Sequence, residues 1–319
     1  MLSGYKKQYE KSLYEEVEKV KKEISSLKIN ENKCEDNIVA LVAKRNGQWK
    51  LINNYILKKD REKFKRKVRI PKKIKTTKVI KKYRRIVKRR LKRIVIILES
   101  PHKEEYSIDN KMGYPALGIT GININKGIEE VINTKLSYSM EHNKYYEIIL
   151  INAIQYQTSL GIDTNMLRDR TWIYLWLQHN MRDGFIKRIK GYRPNIIVNF
   201  CTKGNHSKDV LSFITDVETT VIKDKFIESL NIKNLKCNKD KILVNGKLVC
   251  EVERNTKGKS QGYTLRNFVN NAIKEAFGNI EILKGPHPSL WKFDKYDEDN
   301  KCYKLKKETL DDIIIKSCR

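Results

Sequence analysis

From residue 93 onward, short apolar runs rich in β-branched residues alternate with stretches of helical periodicity. Ile94-Val95-Ile96-Ile97-Leu98, Glu147-Ile148-Ile149-Leu150-Ile151, Asn195-Ile196-Ile197-Val198-Asn199-Phe200 and Ile280-Glu281-Ile282-Leu283 are each too short for a helix. Almost unbroken by polar residues, they read as strands buried on both faces, the habit of parallel sheets covered by helices. Helical patterns fill the gaps, including residues 167–189 and 264–277. The alternation predicts an α/β domain over 93–319, with a central parallel sheet of about four strands flanked by helices. One interruption breaks the rhythm: residues 241–244 and 247–252 flank Asn245-Gly246, the pair best suited to the φ > 0 positions of a tight hairpin. Residues 204–262 are therefore read as an insertion.

The N-terminal part has a different texture. Tyr9, Leu13, Val17, Val20, Ile24 and Leu27 recur at steps of three or four, which predicts an amphipathic helix over 5–27. Residues 38–42 and 49–56 are β-prone runs on either side of Asn46-Gly47, a second hairpin signal. Helix and hairpin together predict a small accessory module over 1–57. Between residues 58 and 92 more than half the positions are Lys or Arg, interrupted by apolar residues such as Phe64, Val68, Ile70, Val79, Tyr83 and Leu91. A segment that packs one face and presents cations on the other needs such interruptions, whereas a solvated tail does not. The arrangement predicts a basic arm that tracks phosphates without reading sequence.

The formal net charge of +29 supports a densely anionic partner, because such self-repulsion is otherwise unhelpful. The expected partner is DNA, double-stranded, bound by a monomer. The six cysteines, Cys34, Cys201, Cys237, Cys250, Cys302 and Cys318, include no C-x-x-C pair and no His spaced to complete a zinc site, so neither a disulfide scaffold nor a structural metal is expected. Residues 1–7 run directly into charged sequence and no apolar run is long enough for a bilayer, which leads to an expectation of cytoplasmic residence without a membrane partner.

In open α/β sheets the functional crevice lies beyond the carboxyl ends of the strands. The first strand is followed by Glu99-Ser100-Pro101-His102-Lys103-Glu104-Glu105-Tyr106, the second by Asn152-Ala153-Ile154-Gln155-Tyr156-Gln157, and the fourth by Gly285-Pro286-His287-Pro288-Ser289-Leu290-Trp291. A carboxylate, an amide and an imidazole are thus expected along one sheet edge.

At these loops the chain resembles the uracil-DNA glycosylase superfamily. Glu99-Ser100-Pro101 followed by Glu104-Glu105 is similar to the acidic, proline-containing loop of its thermophilic-type branch. Leu150-Ile151-Asn152-Ala153 is similar to the Leu-Leu-Asn segment of its uracil-specific branch, and His287-Pro288-Ser289 matches the last motif. The resemblance covers roughly residues 93–292. It implies a uracil-DNA glycosylase-like fold carrying a basic helix and hairpin extension, and an enzyme that flips a pyrimidine from DNA and hydrolyses its N-glycosidic bond to leave an abasic site, with no cofactor and no metal.

That chemistry assigns roles. Bond cleavage builds oxocarbenium character on the sugar and negative charge on the departing base while water attacks the anomeric carbon. Glu99 would orient the water or stabilise the sugar cation. By the resemblance, His287 would donate to a base oxygen in the leaving anion. Asn152 carries both a donor and an acceptor for the Watson–Crick edge of the flipped base. Ser100, Pro101 and His102 would line the base pocket, with Tyr106 and Tyr156, and beside them Tyr114, as stacking groups. Leu290 and Trp291 would be the wedge that fills the space of the extruded base.

The departures from the family pattern narrow the substrate. Ser100 stands where the uracil-specific branch has its water-activating Asp, so the catalytic carboxylate is Glu99, Glu104, Glu105 or a remote one. His102 stands where that branch uses Tyr to exclude a 5-substituent, the stacking Phe is missing from Leu117-Gly118-Ile119-Thr120, and the iron–sulfur cysteines of the thermophilic-type branch are absent. A pocket without the block would admit a cytosine enlarged at its 5-position, such as the glucosylated hydroxymethylcytosine with which some phages mask their DNA, which makes an antiviral glycosylase the leading expectation. The alternatives are a uracil or mismatch repair glycosylase, a DNA-binding protein without catalysis, and a nuclease in which Glu99, Glu104, Glu105 and Asp109 hold magnesium. Lys103 adds the option of a lyase step through a Schiff base.

Overall fold

A computed structural model describes residues 34–54, 91–101, 105, 115–116, 118–156, 158, 169, 172–173, 175–177, 181–202, 234–238, 241–251, 264–278, 280–296 and 303–317. The predicted helix over 5–27, the basic segment over 58–90, His102, Lys103, Glu104, Tyr106, Asp109 and Tyr114 lie outside the described residues.

The strands are β1 (Asn37–Arg45), β2 (Gln48–Asn54), β3 (Leu91–Leu98), β4 (Tyr145–Asn152), β5 (Ile196–Asn199), β6 (Leu235–Asn238), β7 (Lys241–Val244), β8 (Lys247–Glu251), β9 (Glu281–Lys284) and β10 (Ile314–Ser317). The helices are α1 (Ile119–Val131), α2 (Met181–Tyr192), α3 (Leu265–Phe277) and the short α4 (Lys307–Asp311). The main sheet has seven strands in the order β10-β9-β5-β3-β4-β1-β2. Its interior is parallel, since β4, β5 and β9 all run with β3, directly or through a neighbour. Both margins are antiparallel: β1 pairs with β4, and β10 with β9.

The parallel strands form as their sequence demands. Along β3, Val95 and Ile97 join the apolar layer beneath α2 and α3, while Ile94, Ile96 and Leu98 join the layer beneath α1. All five are at most 2% exposed, so an unbroken apolar run is what a strand covered on both faces requires. The first layer also contains Trp172 stacked on Trp176, with ring centroids 4.8 Å apart. Both tryptophans lie in helical residues within the 167–189 stretch. Helix α3 matches its predicted span to within a residue, and its start is fixed by Thr264, whose side chain accepts from the Asn267 backbone N–H.

The prediction of about four parallel strands holds for the interior, and the sheet is wider. The hairpin at Asn46-Gly47 forms with both residues at positive φ, but it belongs to the sheet and not to an accessory module. β1 supplies hydrogen bonds to the margin of β4, and Trp49 is buried edge-on against Tyr146. The physical reason is the free edge of β4, which a β-prone hairpin covers better than solvent does. β3 also starts at Leu91, so the boundary placed at residue 93 falls inside the strand.

The second hairpin extends to a three-stranded antiparallel sheet, β6-β7-β8. Ile242, Val249 and Cys250 pack into the layer shared with α2 and α3. Arg182 on α2 donates to the Leu248 carbonyl and pairs with Glu275 on α3, which Lys247 also reaches. The described part of the 204–262 insertion therefore covers the outer surfaces of α2 and α3. No helix among the described residues is long and apolar enough to cross a membrane.

Candidate active site

The order of the parallel strands puts a switch point at the carboxyl end of β3. The chain leaves β3 for β4 on one side and later takes up β5 and β9 on the other, so the connections diverge at β3, as they do at a ligand-binding switch point. The described residues of all three loops singled out in the sequence follow strands that end along this carboxyl edge. β4 and β9 stand three strand positions apart, about 14 Å at ordinary strand spacing, with β3 and β5 between them.

Register sets the central part. Leu98 pairs with Asn152 across β3 and β4. Past the strand ends, Ala153 N–H donates to the Leu98 carbonyl at 2.8 Å and Ile154 N–H to the Glu99 carbonyl at 3.0 Å. The Trp172 indole N–H donates to the same Glu99 carbonyl at 3.0 Å. The Glu99 backbone is thus held from two directions, and its side chain is buried. The Glu99 carboxylate faces Cys201 just beyond β5, whose thiol is pushed up by burial first and by the Glu99 charge second. Ser100 Oγ lies 2.9 Å from Thr158 Oγ1, and Pro101 is buried beside it.

Asn152 is 1% exposed. Its Nδ2 lies 3.4 Å from both Glu105 Oε2 and Cys34 Sγ, while its Oδ1 is fully buried and has no hydrogen-bond partner among the described residues. Cys34 is buried as well, and its thiol is pushed up, by burial foremost and then by the Glu105 carboxylate. Behind this group lies a set of contacts that the sequence reading missed. Arg188 on α2 donates to the Asn152 and Ala153 carbonyls at 2.9 and 3.0 Å and forms an ion pair with Asp36. Asp36 also accepts from the Tyr192 hydroxyl at 2.9 Å and from Gln155 Nε2 at 3.3 Å. Cys34 N–H donates to the Gln155 carbonyl at 2.7 Å. Asp36 and Cys34 stand more than a hundred residues from the groups they meet here, and the set has no local signature. The faint signal for them was a Cys and two acids just ahead of a β-prone run.

At the β9 end, His287 sits between two prolines and close to Ser289. The Ser289 backbone N–H donates to His287 Nδ1 at 3.3 Å, and Ser289 Oγ is 2.8 Å from the same nitrogen. An Nδ1 that accepts places the proton of the neutral ring on Nε2, making that nitrogen a donor. The loop is anchored from outside: Asn123 Nδ2 donates to the Pro288 carbonyl, and Arg266 bridges the Cys201 and Gly285 carbonyls, tying the ends of β5 and β9 together. Gly285 permits the close passage of the loop, since a Cβ there would lie 2.8 Å from both Phe200 and Ile313. Gly285→Ala is therefore expected to destabilise the protein by about 1–3 kcal/mol, the ordinary cost of overpacking, read as a lower midpoint in urea unfolding.

The predicted wedge divides into two unlike residues. Leu290 is 66% exposed and stands clear of the surface. Trp291 is 4% exposed, packs edge-on against Phe200 with centroids 5.3 Å apart, and donates from its indole to the Pro286 carbonyl. Assigning Trp291 to the wedge was incorrect: it is a core residue, because its large apolar surface closes the gap between the loop and Gly127 of α1. Tyr156 is half-buried, and burial pushes its phenol up, opposed by the Arg188 charge. Among the described residues no three His, Cys, Asp or Glu side chains are grouped to hold a metal. Of the four carboxylates in the nuclease reading, Glu99 and Glu105 are described, and they flank β3 and Asn152 respectively.

Comparison of the chain with family profiles, with curated proteins and with solved structures found no match.

Proposed function

We propose that this protein is a DNA glycosylase that takes a flipped pyrimidine into the crevice at the carboxyl edge of β3, β4 and β9 and hydrolyses its N-glycosidic bond. The observation that carries the reading is the buried Asn152 amide, whose oxygen has no partner among the described residues, on the same edge as the buried Glu99 and the proline-flanked His287. A buried polar atom without a partner is costly, and a role in the site's chemistry is one reason a protein retains one. Asn152 would hold the base edge. Glu99 would orient the attacking water or stabilise the positive charge on the sugar. The C1′–N bond breaks with its electron pair leaving on the base, the water oxygen bonds C1′ and gives up a proton to the Glu99 carboxylate, and the charge that develops on the base is met by the donor at His287 Nε2. Leu290, which is exposed, would enter the space the base vacates.

The charge of +29 supports DNA as the partner, and the missing 5-position block supports a modified cytosine, such as glucosylated hydroxymethylcytosine in phage DNA, as the base. The test is abasic-site formation in EDTA on DNA containing glucosyl-hydroxymethylcytosine, on uracil-containing DNA and on unmodified DNA. Abasic sites on the modified DNA, insensitive to the chelator, are the expected result. Strand cleavage that EDTA abolishes would replace the reading with a metal-dependent nuclease, and tight binding without product would replace it with a binding protein.

A further inference from the structure

The Asn152 amide is turned so that its nitrogen is engaged while its oxygen, fully buried, has no partner among the described residues. Nδ2 lies within hydrogen-bond reach of two acceptors, the Glu105 carboxylate and the Cys34 sulfur, each at 3.4 Å. The Glu105 charge fixes this orientation, because rotating the amide by half a turn would set Oδ1 against Oε2 and bring two acceptors together. What remains for a ligand is Oδ1, fully buried at the carboxyl edge and without a partner among the described residues. Asn152 therefore offers an acceptor alone, and its immediate neighbour in the site is a carboxylate, which when ionised is also an acceptor only.

From this arrangement we infer that the site selects a base bearing an exocyclic amino group, a cytosine-type base, over one presenting carbonyls on the same edge. The inference rests on the proposed reading of the crevice as a base pocket and adds the identity of the recognised edge. An amino group has two hydrogens and meets Oδ1 with no carbonyl facing Glu105. The uracil edge has a single N–H between two carbonyl oxygens, so presenting it to Oδ1 brings a carbonyl toward the Glu105–Asn152 pair, where the amide nitrogen is already engaged. Glu105 is the specificity-determining residue in this scheme because it decides which face of the amide the ligand meets. Replacing it with Gln supplies a neutral NH2 that satisfies Oδ1 in the turned amide, which frees Nδ2 to donate to a carbonyl.

The experiment measures binding of the full chain to single-stranded oligonucleotides carrying one 2′-fluoroarabino nucleotide, whose electron-withdrawing fluorine resists C1′–N cleavage. Two probes, 5-hydroxymethylcytosine and 5-hydroxymethyluracil, keep the 5-substituent constant and differ at the recognised edge. Wild type is expected to prefer the cytosine probe by about ten- to a hundredfold in Kd, the usual worth of a matched base-edge contact, with E105Q losing or reversing the preference and Asn152→Leu abolishing it. Equal or tighter wild-type binding of the uracil probe, or an unchanged preference in E105Q, overturns the inference. Should E105Q fail to fold, as judged by circular dichroism, the wild-type and Asn152→Leu comparison decides alone. The same probes without fluorine separate the two claims. An amino preference in binding without base release removes the glycosylase reading and keeps the edge assignment; base release without the preference does the reverse.

Discussion

Asn152→Ala is expected to lower base release at least about a hundredfold, the usual effect of removing one preorganised polar group from a dry site, while leaving the folded state as stable as before. The second half of that expectation makes it diagnostic. In the wild type the Asn152 carbonyl oxygen is buried with no partner among the described residues, a liability of about 1–3 kcal/mol. The contacts its Nδ2 makes, both at 3.4 Å, are long and offset only part of that cost. Truncation removes both, so the net change in stability is small. Urea unfolding beside an abasic-site assay checks it. A variant that loses activity only because it unfolds would show that Asn152 is structural and would count against the pocket.

Asp36→Ala is expected to act in the opposite way, through stability first. Its carboxylate is 3% exposed and forms an ion pair with Arg188, whose side chain is 20% exposed. Tyr192 and Gln155 donate to the same group. Removing one partner of a buried pair leaves the other charge uncompensated, at a cost of about 3 kcal/mol, seen as a lower urea midpoint with an unchanged slope. Asp36→Asn keeps one acceptor oxygen for Gln155 and presents an NH2 from which the Tyr192 hydroxyl can accept, and it is expected to lose less. Tyr192 stays neutral throughout the working pH range, since burial and then the Asp36 charge push its phenol well up, so it remains a hydroxyl donor to Asp36. Because Arg188 also holds the Asn152 and Ala153 carbonyls, any folded Asp36 variant is expected to show a raised KM before its kcat falls.

The candidate site was only half legible in the chain. Glu99, Asn152 and His287 could be placed because each follows a strand whose apolar run announces itself, and parallel strands deliver their carboxyl ends to one edge. What Asn152 presents was not legible. The sequence reading gave it both a donor and an acceptor, and the structure engages the donor with Glu105 and with Cys34, 118 residues away. Trp291 was misjudged for a related reason: next to exposed Leu290 in sequence, it turns inward because Phe200 and Gly127 form a slot for its ring. Asp36 and Arg188 escaped notice entirely, and Cys34 stood only among six scattered cysteines.

Local physics explains what the sequence alone determined. The runs of β3, β4, β5 and β9, the turns at Asn46-Gly47 and Asn245-Gly246 with positive φ, and the capped helix α3 are settled by residues within a few positions of one another, through side-chain branching, backbone sterics and capping. Tertiary structure alone decided that the first hairpin covers the free edge of β4 and that β10 closes the other margin. It also decided that an acid before β1, acting through Arg188, steadies the backbone carbonyl of Asn152 at the end of β4. Those outcomes depend on which distant surfaces bury the most apolar area and satisfy the most polar groups at once, and a linear pattern holds no record of that competition.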